Sequence, residues 1–338
     1  NAITNITTND GNGGAILNNG HNLTINKDIS NNTLQNTVGQ AVFGGGIYQA
    51  GGTLTINNGV TFDGNTVTSK SQTYPDWDGV DSASGGAIYI TGDFDVKTNG
   101  NVIFSNNKAI AAGANDESNG GAIFAQGSSS DASITFDNVK FTDNSSDNRG
   151  GAIYNGDTNI TINGKGEFIG NTSKTGGAVY NLDTTGNTKF TTGTGSTFKN
   201  NSAAGNGGAI ANFDGVVNIG EKNEFSGNTA QNGGAIYNSN WQKTAVTNIS
   251  GGTTFSNNEA SDKGGAIYNS GTVNMDTSKG NIIFTDNKSA NGADIYLDGE
   301  NSELIVSGNN KNNKVSFGSE NSIAGDGKIV HQSEGTFE

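Results

Sequence analysis

Short segments of the chain alternate apolar and polar positions, and Gly, Asn, Asp and Ser separate these segments. Leu54-Thr55-Ile56, Ile160-Thr161-Ile162 and Val273-Asn274-Met275 are three examples. Period-two alternation predicts β-strands with one buried face, and the separating residues predict turns. Because no segment has a 3.6-residue period, we expect almost no α-helix.

Two motifs recur in turn along most of the chain, and each repeat contains three alternating segments. A Phe-x-x-Asn motif lies between successive copies of a Gly-Gly-Ala-Ile motif, and clear copies of the latter follow one another at steps of 26 to 41 residues. The sequence therefore predicts an all-β fold, a single-stranded right-handed parallel β-helix of about ten coils. We expect residues 1–300 to form the β-helix and residues 301–338 to form C-terminal coils that lead into a truncated continuation. Gly-Gly-Ala-Ile or a close variant begins at Gly13, Gly44, Gly85, Gly120, Gly150, Gly176, Gly207, Gly233 and Gly264.

The period of two also predicts which side chains fill the interior. In Gly-Gly-Ala-Ile-Tyr-Asn, Ile lies on one face and Tyr on the other, and we expect the Ile face to be buried. Phe of Phe-x-x-Asn would form a second inner column, and residues such as Ile56, Ile162 and Ile219 a third. The Asn two positions after the Ile would point inward and form a hydrogen-bonded ladder along the rod. This Asn is found at Asn18, Asn155, Asn181, Asn212, Asn238 and Asn269.

The residue after the Ile is aromatic in most repeats, which predicts an outward, exposed aromatic stripe that is interrupted at Ala211. Stacked aromatic rings stabilise a sheet face by themselves, and they also serve as a platform for a sugar ring or a protein partner. The sequence leaves both interpretations open. The stripe consists of Tyr48, Tyr89, Phe124, Tyr154, Tyr180, Tyr237, Tyr268 and Tyr296.

Two consecutive repeats carry insertions between Phe-x-x-Asn and the next Gly pair. The step from Phe to Gly is usually 8–9 residues, but it is 23 from Phe62 to Gly85 and 16 from Phe104 to Gly120. Because both insertions leave the same corner, we expect them to lie side by side and to form a recognition site, although loops without a ligand are the alternative. The candidate partner-binding residues are Tyr74, Asp76, Trp77, Asp78, Asp116 and Glu117, together with Trp241 in a loop at a different corner.

Composition narrows the classes of ligand. The chain has 32 acidic and 18 basic residues and a net charge of −14, which argues against binding to nucleic acid or to an anionic membrane surface. It has no Cys, and it has no apolar run of the ~18–20 residues that span a bilayer, so we expect no membrane insertion of this chain. Asp76, Asp78 and Asp81 are a weak calcium candidate; we predict no other metal or cofactor.

Nothing in the sequence assembles a catalytic centre. His21 and His331 lie at opposite ends of the chain, Arg149 is the only Arg, and no pair of carboxylates is forced together. A glycosidase needs two acids at a defined separation, and a Ser-His-Asp triad needs a central His. We therefore predict that the chain is not an enzyme, with a β-helix polysaccharide lyase or glycosidase as the alternative.

The interleaved motifs resemble the repeats of the chlamydial-type polymorphic outer-membrane proteins and related autotransporter passengers, from about Gly13 to Ile295. The resemblance implies secretion, display at the bacterial cell surface through a C-terminal outer-membrane barrel that is not in this chain, and adhesion. It brings no catalytic residues. We therefore expect an excised passenger fragment, monomeric in isolation, that binds a host-cell or surface protein or glycan. A passive stalk or surface-coat spacer is the alternative.

Overall fold

The computed structural model describes residues 2–37, 41–69, 81–111, 117–318, 321–333 and 336–337. Within these ranges the regular secondary structure is almost entirely β-strand, most of it in short strands, and the single helical segment is the 3-10 turn Thr277–Lys279. Every strand pairs in parallel with its counterpart in a neighbouring coil, as in Phe198 opposite Phe225 and Ile210 opposite Ile236. The predicted parallel β-helix and the predicted near absence of helix are both confirmed.

Three walls and one small additional sheet make up the solenoid. The Phe sheet contains the strands Ile3–Thr4, Ile29–Ser30, Thr61–Asp63, Asn101–Ser105, Asn138–Thr142, Gly166–Ile169, Thr197–Lys199, Glu224–Ser226, Thr254–Ser256, Ile282–Thr285, Lys314–Phe317 and Thr336–Phe337. The short sheet contains Thr7–Asn9, Thr33–Gln35, Thr66–Thr68, Lys108–Ile110, Ser145–Ser146, Thr172–Ser173, Ser202–Ala203, Thr229–Asn232 and Glu259–Lys263. The insertion sheet contains Val42–Phe43, Asp81–Ser84 and Glu117–Asn119.

Two rows of strands form the remaining wall, and the long strands Ile47–Asn57 and Ile88–Asn99 run through both rows. The isoleucine row continues with Ile16–Asn19, Ile123–Gly127, Ile153–Gly156, Val179–Leu182, Ile210–Phe213, Ile236–Ser239, Ile267–Asn269, Ile295–Leu297 and Ile323–Gly325. The valine row continues with Leu23–Ile25, Ser133–Phe136, Asn159–Ile162, Lys189–Thr191, Val216–Ile219, Val246–Ser250, Thr272–Asp276, Glu303–Gly308 and Lys328–Ser333. Strands beyond residue 300 thus extend the same sheets.

The three predicted columns form one continuous core. The Phe rings from Phe62 to Phe284 are almost fully buried and stack with centroids 4.6–5.0 Å apart. The Ile of the Gly-Gly-Ala-Ile motif is buried from Ile47 to Ile295, and Ile56, Ile162 and Ile219 are buried as well. The prediction that the Ile face is the inner face is confirmed. Each coil has few apolar residues, but stacking removes nearly all of them from water.

The Gly pair is required by the corner that follows the short sheet. Gly207 has a φ of +68°, which favours Gly because it has no Cβ. A Cβ on Gly208 would lie 2.0 Å from the carbonyl oxygen of Gly234 in the next coil. The first Gly therefore makes the turn, and the second allows neighbouring backbones to approach closely.

Two ladders of buried side-chain amides run along the solenoid. The predicted ladder is confirmed from Asn155 to Asn269, because Asn155, Asn181, Asn212 and Asn238 each donate a hydrogen bond to the next Asn at 2.6–2.8 Å. Asn18, which was predicted to belong to it, donates to Gln49 instead. The second is the corner ladder, formed by the Asn of Phe-x-x-Asn, in which each side chain donates to the next at 2.9–3.0 Å. The corner ladder contains Asn32, Asn65, Asn107, Asn144, Asn171, Asn201, Asn228, Asn258 and Asn287.

The corner ladder ends at a buried acid in Gly292-Ala293-Asp294-Ile295, a degenerate tenth copy of the Gly-Gly-Ala-Ile motif. Asn287 donates a 2.8 Å hydrogen bond to Asp294, which takes the place of Ala in the motif and is fully buried. Burial raises the pKa of Asp294 above its usual 3.8, although hydrogen bonds from Asn287 and Ser322 oppose this effect. The ionised carboxylate therefore lowers the stability of the fold at neutral pH.

Replacing Asp294 by Asn is expected to raise the free energy of unfolding at about pH 7. A group whose pKa is raised by folding stabilises the fold only while it is protonated, so the parent chain recovers this stability as the pH falls through the pKa of Asp294. The advantage of Asp294→Asn should therefore shrink in acid. Urea unfolding at neutral and acidic pH measures the difference. Asp131→Asn, at an exposed position, is the control and should show no such trend; an advantage of Asp294→Asn that persists in acid would contradict the explanation.

Candidate functional site

The stems of the two predicted insertions lie side by side. The chain enters the insertions from Thr66–Thr68 and Lys108–Ile110, which pair with each other, and returns through Asp81–Ser84 and Glu117–Asn119, which also pair. The expectation that both insertions leave the same corner of neighbouring coils is therefore confirmed for their stems. Tyr74, Asp76, Trp77, Asp78 and Asp116 lie outside the described residues, as does the side chain of Asp81, so the recognition and calcium hypotheses stay predictions.

A third coil belongs to this corner. Val42–Phe43 pairs with Asp81–Ser84, so three successive coils contribute to the insertion sheet. The motif spacing did not reveal this coil, because Ile29 stands where Phe begins the motif and lies opposite Phe62. The stems enclose a small core of their own. This core consists of Leu34, Val42, Val67, Ala83 and Ala109, each at most 1% exposed.

Glu117, one of the predicted partner-binding residues, forms an ion pair at the base of the second insertion. The terminal nitrogens Nη1 and Nη2 of Arg149 donate hydrogen bonds to the carboxylate oxygens of Glu117, at 2.8 and 3.1 Å. The Arg149 guanidinium also lies 5.6 Å from the ring centre of Tyr180. Burial alone would lower the pKa of Arg149, but Tyr180 and Glu117 outweigh burial and raise it. The pair joins the insertion stem to the aromatic column of the isoleucine row.

The aromatic column is continuous but mostly not exposed. Phe124, Tyr154, Tyr180 and Tyr268 are 2%, 7%, 5% and 9% exposed, so the prediction of an exposed stripe is wrong for these four. The reason is that coil stacking places the rings face to face, as in the 4.6 Å separation of the Phe124 and Tyr154 centroids. Burial also raises the pKa of Tyr180 to about 12. The partly exposed members are Tyr48, Tyr89, Tyr237 and Tyr296.

Two rings from outside the predicted stripe complete the column. Phe43 of the insertion sheet stacks on Tyr89 with centroids 4.4 Å apart. Phe213 bridges the gap at Ala211, lying 5.3 Å from Tyr180 and 5.5 Å from Tyr237. Most ring faces are therefore covered by other rings, and the column is chiefly a structural element. Because Phe43 stacks on Tyr89, the N-terminal end of the aromatic column lies beside the insertion stems.

Polar groups cover the column at its other end. The Lys263 ammonium lies 4.6 Å from the ring centre of Tyr296 and 3.3 Å from Asp298. Tyr268 donates a 2.6 Å hydrogen bond to Asp298. Burial and the Asp298 carboxylate raise the pKa of Tyr268, which therefore stays protonated at physiological pH.

Trp241 lies at a separate corner, in the connection between the isoleucine and valine rows. It is 68% exposed, the largest fraction among the large hydrophobic side chains that the structure describes. The Asp214 carboxylate accepts hydrogen bonds from the backbone N–H groups of Trp241, Gln242 and Lys243 at 2.6–3.1 Å. The backbone of this loop is therefore held in place while the indole projects into solvent.

The described residues contain no cluster of three or more His, Cys, Asp or Glu side chains that would hold a metal ion. His21 and His331 are both exposed and lie in coils at opposite ends of the rod. Within the described ranges, no helix is both long enough and apolar enough to cross a membrane.

The fold and its surface thus define a class of protein: a repeat solenoid of the parallel β-helix type, with ladders inside and insertions at one corner. The Chlamydia polymorphic membrane protein repeat matches this chain six times, and each match contains both motifs. The matches are residues 59–91, 101–126, 138–156, 195–212, 224–239 and 252–270. The chain therefore contains six Chlamydia polymorphic membrane protein repeats, which are the repeats of a surface and outer-membrane protein family. Comparison with curated proteins gives no match, and comparison with solved structures gives none.

Proposed function

We propose that this chain is the β-helical passenger of an autotransporter-like surface protein and that it binds a host-cell or surface protein or glycan through its insertions. The observation that carries the proposal is the insertion sheet, in which three neighbouring coils bring their extra segments to one corner. The strands at which these segments begin and end are paired and enclose a separate small core. Functional residues concentrate on such loops, which a rigid scaffold positions.

The charge of the chain limits the partner. With a net charge of −14, the rod repels phosphate backbones and anionic lipid surfaces, so a protein or a glycan is the better match. Aromatic anchors surrounded by polar groups dominate binding in protein interfaces. Tyr74 and Trp77 are the aromatic residues of the first insertion, and we propose them as the main contacts, with Asp76, Asp78 and Asp116 as further contacts.

Deleting residues 70–82 is expected to abolish binding to the partner of the insertions while leaving the rod folded. The deletion shortens the step from Phe62 to Gly85 from 23 to 10 residues, close to the 8–9 residues of the regular repeats, so the coil can close as the regular coils do. The measurement is binding of the purified parent and deletion chains to a glycan array and to host-cell surfaces. Circular dichroism and urea unfolding verify that the deletion chain stays folded.

A matched control removes residues 129–131 from another loop, leaving a two-residue turn like Asp157-Thr158. The control should bind as the parent does. Equal binding by the parent and the 70–82 deletion would refute the insertion site. A parent chain that binds neither glycans nor cells would instead favour a passive stalk, and product formation from a uronate polysaccharide would favour the enzyme.

A further inference from the structure

The corner between the isoleucine and valine rows carries long loops on every second coil. Connections of five or six residues alternate with two-residue turns from the fourth coil to the tenth. Neighbouring strands are ~4.8 Å apart, so successive long loops stand roughly 10 Å apart with a tight turn between them. The long connections are 128–132, 183–188, 240–245 and 298–302; the two-residue turns are 157–158, 214–215 and 270–271.

An Asp from the preceding coil holds three of these loops. Asp93 accepts a hydrogen bond from Ser128, Asp157 accepts from the backbone N–H groups of Thr184 and Thr185, and Asp214 accepts from those of residues 241–243. The loop 240–245 is closed further by a 2.7 Å hydrogen bond from the backbone N–H of Ala245 to the Asn240 side chain. The backbone and these polar side chains therefore hold the loop in place.

The indole of Trp241 contributes nothing visible to this arrangement. It stacks on no aromatic ring in the described part of the chain and is 68% exposed, although Trp is among the side chains that gain most from burial. The loop 183–188 adopts the same Asp-anchored form with no aromatic residue. A purely structural role for the loop therefore does not explain why residue 241 is a Trp.

The surroundings of Trp241 fit a sugar better than a protein. A protein hot spot lies at the centre of a larger apolar patch, whereas Trp241 is flanked by the exposed polar side chains of Asn240 and Gln242. One aromatic face with hydrogen-bonding groups beside it matches a pyranose ring, which has an apolar C–H face and a rim of hydroxyl groups. The nearby cation, Lys243, lies 3.7 Å from the buried carboxylate of Asp183, so it is not free for an anionic sugar.

We propose that Trp241 is the stacking platform of a saccharide-binding site that takes the apolar face of a neutral pyranose, with Gln242 and Asn240 beside it as hydrogen-bonding groups. Asp214 is a positioning residue, because it contacts the loop backbone and fixes the direction in which the indole projects. This site lies at a different corner from the insertions and is independent of them.

Because the chain has only two Trp residues, removing one makes Trp fluorescence specific for this site. In a Trp77→Phe background, Trp241 is the remaining Trp, so its fluorescence reports on this loop alone. A neutral oligosaccharide selected on a glycan array should shift the emission to shorter wavelength and protect the indole from acrylamide. Trp241→Ala should weaken array binding at least about tenfold, and Trp241→Phe should retain part of it.

Two anchor variants separate positioning from general loss of stability. Asp214→Asn should weaken saccharide binding, while Asp157→Asn, which loosens the aromatic-free loop 183–188, should leave it unchanged. No neutral glycan on the array, no change in Trp241 fluorescence, or undiminished binding by Trp241→Ala would each overturn the proposal. Binding only to sialylated or sulfated glycans would overturn it as well. The 70–82 deletion should still bind this saccharide, so the two sites fail independently.

Discussion

Replacing Phe198 by Ala is expected to lower the free energy of unfolding by about 3–5 kcal/mol. Phe198 is fully buried, and its ring lies between those of Phe168 and Phe225 with both centroids 4.6 Å away. The substitution removes the transfer free energy of the ring, leaves a cavity between two coils and breaks two stacks. Because the coils are stacked in one dimension, the damage also weakens the interface between the two halves of the rod.

Urea unfolding followed by circular dichroism measures this effect. The control is Ile283→Ala in the same sheet, where the side chain points outward and is 38% exposed. The control should cost much less, because most of what it removes is already in contact with water. If both substitutions lowered the free energy of unfolding equally, the Phe column would not be the stabilising core of the rod.

Replacing Asn201 by Ala is expected to cost at least about 3 kcal/mol, because it leaves several buried polar groups without partners. The Asn201 side chain accepts hydrogen bonds from the backbone N–H and the side-chain amide of Asn171, and it donates to Asn228 and to the Phe168 carbonyl. Ala satisfies none of these groups. No water replaces the amide easily, because the ladder is fully buried.

Asn201→Asp distinguishes hydrogen bonding from packing. The carboxylate keeps the shape and can still accept hydrogen bonds, but it cannot donate, so this variant should also be strongly destabilised at neutral pH. Asn187→Ala, in an exposed loop, is the control and should change stability by less than about 0.5 kcal/mol. Unfolding curves of Asn201→Ala that coincide with those of the parent would show that the ladder carries no stability.

The inner columns were predictable from the sequence because stacking conserves register. Ile, Phe and Asn recur at fixed positions within each repeat, so the period of two assigns their faces without any knowledge of distant contacts. The same logic did not predict burial of the aromatic column. Phe43 and Phe213 cover neighbouring rings from positions outside the repeated motif, and only the stacked structure brings them there.

The candidate sites were less predictable than the fold for a related reason. The 23-residue and 16-residue steps indicated two insertions. The third coil of the insertion sheet was not predicted, because Ile29 stands where the other repeats have the Phe of Phe-x-x-Asn. The Asp214 carboxylate reaches N–H groups 27 to 29 positions further along the chain. Such contacts join residues that are about one coil apart in the sequence, and a local sequence pattern does not reveal which residues they join.

Two properties of the molecule are separable: the ladders and columns hold the rod together, and we propose that the loops at its corners recognise partners. The most direct test is binding of the Asn201→Ala chain and the 70–82 deletion chain to host-cell surfaces, at a temperature at which both are folded. We predict that Asn201→Ala binds as the parent does despite its lower stability, and that the deletion chain stays stable but loses the binding that depends on the insertions. A deletion chain that binds like the parent would contradict recognition through the insertions.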